Sequence, residues 1–194
     1  MARTTAFNPD EKLQQAMMLF WERGYEATSM QDIVDTLAIN RFSVYNTFGD
    51  KRALYAQSLS LYMDTCFRPF MQALQPHTDG MDAIKRYIKQ MEKFLCSDAG
   101  AQGCLMSNNM SEPEFRGSEI TAKAISAFGE LHLELVKVLV SAKEQGRFGR
   151  QTDPKACGEY IFTYVQGLSM VRKTLGRKAV KRNVRFFLAE LDAW

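Results

Sequence analysis

Read for its apolar positions, the chain shows helical spacing from end to end and no convincing two-residue alternation, which predicts an all-α protein. The first helix opens at Asn8, a good N-cap. Pro9 suits the first helical position, and Glu11 stands where it completes a capping box. Leu13, Ala16, Met17 and Phe20 follow as one stripe, and Gly24 closes the helix. Ser29 caps a short second helix, with Asp32 at its third position and Ile33, Val34 and Leu37 on its buried side. After a turn of three or four residues, Asn40 caps a third helix that ends at Phe48 and is broken by Gly49. Asp50 then caps a fourth that runs to about Leu74. Behind the turn "QPHTDG", helices are expected over about 80–96, 103–111 and 116–145. The linker "GRFGRQTDP" stops the last of these, and two more helices, about 153–174 and 177–192, meet near Gly176. About nine helices result, without repeats or low-complexity tracts, and the front and rear parts divide inside the fourth helix.

Composition narrows the function classes. At 194 residues, 46% apolar and 24% charged, the chain sits in the globular range. It has neither a basic start leading into an apolar leader nor an uncharged apolar run of about 18 residues, so a soluble, cytoplasmic protein with no membrane partner is expected. Cys66, Cys96, Cys104 and Cys157 form no C-x-x-C pair, and His77 and His132 are the only histidines. A disulfide framework and a zinc site are both disfavoured, and no metal or cofactor is expected. The net charge is +3, yet residues 1–60 hold six Lys and Arg against seven Asp and Glu. The front of the chain is therefore no purely electrostatic polyanion binder.

Two short helices joined by a tight turn and backed by a capped first helix form a helix-turn-helix pattern, whose second helix lies in the DNA major groove. Within 41–48, Val44 and Phe48 stand four apart and can pack inward, leaving Arg41, Ser43, Tyr45 and Asn46 to point elsewhere. Arg suits guanine, Asn suits adenine, and hydroxyls suit phosphate or base acceptors. Tyr45 also has a reading as a core aromatic, and Lys51 with Arg52 as a solvated face.

Residues 9–60, through "KLQQAMMLFWERGYEATSMQDIVDTLAINRFSVYNTFGDKRALY", resemble the N-terminal domain of the TetR/AcrR family of bacterial transcriptional regulators. The resemblance rests on the Phe20, Gly24-Tyr25, Thr28-Ser29 spacing, the Val44-Tyr45-x-x-Phe48 pattern, and Lys51 with Leu54 opening the next helix. It implies a DNA-binding domain over 1–52 and an effector-binding and dimerisation domain over 53–194. By position, Ser43 and Asn46 face bases or phosphates, Tyr45 a phosphate, and Lys51 the DNA backbone. Ser29 and Gln31 meet the flanking strand, and Arg41 serves base choice. Phe42 departs from the small or polar residue usual there; it either touches a thymine methyl or shields the turn.

For the rear domain the resemblance implies a homodimer formed by the last two helices. The interface residues expected on them are Tyr160, Gly167, Leu168, Val171, Val180, Val184, Phe187, Leu188 and Leu191, although such stripes are also ordinary core. An effector that is small and partly apolar would meet Met63, Phe67, Met91, Met106, Met110, Phe128 and Phe162, with Asn108 and Asn109 as polar contacts or turn formers. The stretch "QGCLMSNNMSEPE" resembles one found in a branch of the family. There Cys104, at a helix N-terminus, either senses oxidants and electrophiles or serves as a small buried hydrophobe. Seven cations, Arg172, Lys173, Arg177, Lys178, Lys181, Arg182 and Arg185, occur without an acid in 172–189, as a solvated face or as a contact for DNA, lipid or an anionic effector.

The expected function is a dimeric regulator, in this family most often a repressor released from a palindromic double-stranded operator by its effector. Redox or electrophile sensing through Cys104 is the alternative. A helix-turn-helix that serves as a helical interaction module without DNA binding is a third reading. An enzyme is not expected: Cys104 and His132 match no catalytic spacing, and no acid is placed to orient the histidine.

Overall fold

Asn8 caps the first helix, its Oδ1 accepting from Asp10 N at 3.0 Å, with Pro9 in the first turn. The short Asn8 side chain thus serves the second N–H, and the box expected with Glu11 gives way to a single cap. A full box forms at Ser29 and Asp32. The computed structural model describes residues 7–147, 149, 152–192 and 194, so Phe148, Arg150 and Gln151 of the expected linker lie outside the described residues. Its helices are α1 (Pro9–Arg23), α2 (Met30–Leu37), α3 (Arg41–Phe48), α4 (Lys51–Tyr62), α5 (Arg68–Gln72), α6 (Met81–Leu95), α7 (Leu105–Met110), α8 (Glu119–Glu144) and α9 (Pro154–Leu191). No strand occurs among the described residues, and none of the helices is long and apolar enough to cross a membrane. The expected fourth helix is interrupted by a π-helical stretch, Met63–Phe67, between α4 and α5. The two expected last helices are the arms of α9, joined at Gly176, whose φ of 78° only glycine adopts cheaply.

The chain forms two compact units. The front unit runs to Cys66 and also takes in Leu105–Ala122. This differs from the expected cut after residue 52, because Leu54 and Tyr55 of α4 belong to the same core as Phe20, Ile33, Leu37, Val44 and Phe48. Phe115, seemingly deep in the rear domain, is buried there too. Its ring stacks on Tyr55 at 4.7 Å and meets Tyr25 edge-on at 4.6 Å. Burying a Leu or Phe of this kind contributes about 1.5–3 kcal/mol, so these contacts decide where the unit ends.

In the rear unit α6 packs on α9. Ile84, Tyr87, Ile88 and Leu95 of α6 are buried, as are Ile161, Val165, Leu168, Val180, Val184, Phe187 and Leu191 of α9. Arg172 Nε donates to the Leu95 carbonyl at 2.6 Å, satisfying a helix-end acceptor. Edge contacts link Phe67 to Phe128 and Phe128 to Phe162 at 5.7 and 5.6 Å.

Candidate nucleic-acid interface

Local chemistry sets α3 in place. Asn40 Oδ1 accepts from Ser43 N at 2.8 Å to start it. Gly49, at φ 84°, ends it by donating its N–H to the Tyr45 carbonyl. Gln57 Nε2 of α4 then donates to the Phe48 carbonyl at 2.8 Å, taking up another free acceptor at that end. Ahead of it the turn from α2 passes through Ala38 in the left-handed region, φ 51° and ψ 38°.

The side chains of α3 divide as their spacing predicts. Val44 and Phe48 are buried in the front core. Arg41, Phe42, Tyr45 and Asn46 are exposed, and Ser43 is half-buried. Phe42 is 70% exposed, so it does not seal the core, and Tyr45 at 42% is no core aromatic. The Arg41 guanidinium carbon lies 5.9 Å from the centre of the Tyr45 ring, which biases both side chains towards the open face.

Lys51 is half-buried, its Nζ 4.1 Å from the centroid of Tyr25. Tyr25 is fastened through its backbone N–H to Glu112 Oε1 at 2.8 Å. Burial, and then the Glu114 carboxylate, push its phenol above the ordinary value, so it stays neutral beneath the lysine. Arg52 is held differently, paired with Glu114 at 2.9 Å and lying over Phe115. Ser29 and Gln31 are exposed at the start of α2, but their polar groups are engaged. Ser29 is in the capping box, and Gln31 Nε2 donates to Asp35 at 2.8 Å. Hydrogen bonds from Ser29, side chain first and backbone second, hold the Asp32 carboxyl below its usual range, with Arg23 at 2.7 Å assisting.

Sequence reasoning missed Glu112 and Glu114 as supports of this surface. The Gly24-Tyr25 pair was visible, but its partners lie some ninety residues on. No local spacing announces them.

The expected effector residues separate. Met63, Met106, Asn108 and Met110 lie in the front unit; Phe67, Met91, Cys104, Phe128 and Phe162 lie in the rear unit. Met110 is exposed, whereas Met106 is fully buried. Asn109 is also buried, its Nδ2 bonded to Thr121 while its Oδ1 has no partner among the described residues. Of the expected interface residues, Leu168, Val180, Val184, Phe187 and Leu191 are buried within their own chain, and Val171 and Leu188 half-buried. A side chain already covered by its own fold offers no area to a second copy, so the buried ones are core. Tyr160 and Gly167 remain exposed. Among the described residues no cluster of three His, Cys, Asp or Glu stands ready for a metal.

A capped recognition helix, sealed by Val44 and Phe48 and open along Arg41, Tyr45 and Asn46, defines a helix-turn-helix DNA-binding protein. Residues 13–57 match the family model described as bacterial regulatory proteins, tetR family. The chain is 27% identical over 194 residues to the uncharacterized HTH-type transcriptional regulator YezE of Bacillus subtilis, covering 99% of this chain and 100% of that one. It is 27% identical over 171 residues to the HTH-type transcriptional repressor ComR of Escherichia coli, covering 87% and 80%. Its fold is similar to that of a cysteine-substituted form of the TetR family regulator CifR complexed with 26-bp double-strand operator DNA. That likeness has a TM-score of 0.79 and 24% identity over 95% of this chain and 98% of the other. A TetR transcriptional regulator from Chloroflexus aurantiacus matches with a TM-score of 0.81 and 16% identity, over 93% and 92%. Residues 13–57 thus match the DNA-binding part of the TetR family, and the chain as a whole is similar to HTH-type transcriptional regulators.

Proposed function

We propose that this protein is a cytoplasmic, homodimeric repressor whose front unit reads a palindromic operator and whose rear unit takes a small, partly apolar effector. The observation that carries the reading is the open face of α3 beside a lysine already held in place by Tyr25. Asn46 and Arg41 read base edges, Phe42 offers an apolar surface to a thymine methyl, and Tyr45, Ser43 and Lys51 take phosphates. Ser29 and Gln31 reach the flanking strand by exchanging their internal bonds. Two such helices related by a two-fold axis would meet half-sites about one DNA turn apart. ComR is named a repressor, and CifR was solved on operator DNA. Phe67, Met91, Phe128 and Phe162 of the rear unit support an apolar effector. Release requires that it bind the DNA-competent and DNA-incompetent forms with different affinity.

The test is equilibrium binding of the purified protein to the DNA upstream of its own gene and to random duplex of equal length. Preference for the first, weakening as salt rises, is expected. Equal binding to both would overturn the reading.

A second reading is supported by one placement. Cys104 lies within electrostatic reach of the Lys173 ammonium and of the buried Tyr87 hydroxyl. Burial holds the Lys173 pKa below its ordinary value. Regulation through this thiol would make DNA release depend on oxidant in the native protein and not in Cys104→Ser.

A further inference from the structure

The recognition unit is acidic on balance, so the surplus cations of the chain stand elsewhere. Several are committed. Arg172 is bonded to the Leu95 carbonyl, Arg177 is paired with Asp98, and Lys85 with Asp192. Lys178, Lys181, Arg182 and Arg185 are not: all four are exposed, and among the described residues none is held in an ion pair or a side-chain hydrogen bond. They fall at i, i+3, i+4 and i+7 on the second arm of α9, hence on one face over roughly 10 Å of helix. The opposite side of that arm, Val180, Val184, Phe187 and Leu191, is buried, so the cationic face is presented outward by a fixed helix.

We propose that this face is an accessory contact for the phosphate backbone of duplex DNA. It rests on DNA being the partner of the recognition helix. Four unpaired cations on a rigid ridge match a rod carrying one negative charge per about 1.7 Å of axis. An anionic membrane would suit the charge as well, but it needs an apolar face in the same plane. The arm has spent its apolar residues on the core, leaving Phe186 exposed beside the ridge. A second copy is disfavoured across this face, because two-fold symmetry would set like charges against one another. Such a contact adds affinity for any DNA sequence and shortens the search for the operator, without reading bases.

The test compares the native full-length protein with a variant carrying Lys178→Gln, Lys181→Gln, Arg182→Gln and Arg185→Gln. Affinity for operator and for random duplex is measured across a salt series. The slope of log K against log salt should become shallower by up to about 3.6, at about 0.9 per lost phosphate contact, on both duplexes. The operator-to-random ratio should stay unchanged. The Arg182→Gln, Arg185→Gln pair should give about half that change, which guards against a folding defect in the fourfold variant. Unchanged slopes in both variants would overturn the proposal. So would unchanged slopes with lost binding to phosphatidylserine vesicles, which would assign the face to lipid. Failure of the native protein to bind DNA at all would instead sink the DNA reading itself.

Discussion

The ammonium of Lys51 rests against the Tyr25 ring, Tyr25 is tied to Glu112, and Asn46 stands free one turn of α3 beyond Phe42. The two polar residues are prepared differently for DNA. Fixing a lysine costs up to about 2 kcal/mol of rotamer entropy, and the ring has already met part of that before DNA arrives. Lys51→Ala should therefore weaken binding to every sequence alike and lower the salt slope by about 1, whereas Asn46→Ala should cost about 1–3 kcal/mol at one base pair and little elsewhere. Binding titrations against single-base operator variants separate the two patterns. A sequence-selective loss at Lys51 would contradict its assignment as a backbone contact. Which residues of α3 face outward was legible from the spacing of Val44 and Phe48. That Lys51 has an aromatic seat was not, since a cation–π contact leaves no periodic trace.

At the scale of elements, α2, α3 and α4 each begin after a residue whose side chain caps the helix: Ser29, Asn40 and Asp50 accept from Asp32, Ser43 and Ala53 N. Capping depends on three or four neighbouring residues, so it can be read from sequence. The turn between α2 and α3 carries a cost that cannot. Ala38 sits at φ 51°, where an L side chain costs about 1–2 kcal/mol. Ala38→Gly would remove that cost but return about 0.4–1 kcal/mol to the unfolded chain as entropy. A net stabilisation of about 0.5–1 kcal/mol is expected, seen as a higher melting temperature with DNA affinity intact. A lower melting temperature would mean the methyl group packs favourably there. The π-helical stretch Met63–Phe67 has no comparable local signal.

For the whole molecule, the proposed homodimer requires a face of α9 that its own chain leaves uncovered. Tyr160, Thr163, Gly167, Met170 and Thr174 are exposed along the first arm, and a Cβ built on Gly167 would meet nothing within 4 Å. Phe187 is buried, its ring stacked at 3.8 Å on Tyr164. Gly167→Arg should therefore yield a folded monomer with weakened operator binding. Phe187→Ala should cost about 3–5 kcal/mol of folding stability by opening a cavity. Sedimentation and chemical denaturation distinguish these outcomes. A folded monomer from Phe187→Ala, with Gly167→Arg still dimeric, would reverse the assignment.

By itself, the sequence determined the all-helical class, the caps, the break at Gly176 and the inward and outward sides of the recognition helix, because each follows from residues a turn or two apart. Only the tertiary structure decided that Leu105–Ala122 joins the front unit, that Glu112 and Glu114 brace Tyr25 and Arg52, and that Val180, Val184, Phe187 and Leu191 are core. An apolar stripe records that a helix face must leave water. It does not record whether its own chain or a second copy will cover it, and that choice is settled by contacts between residues far apart in sequence.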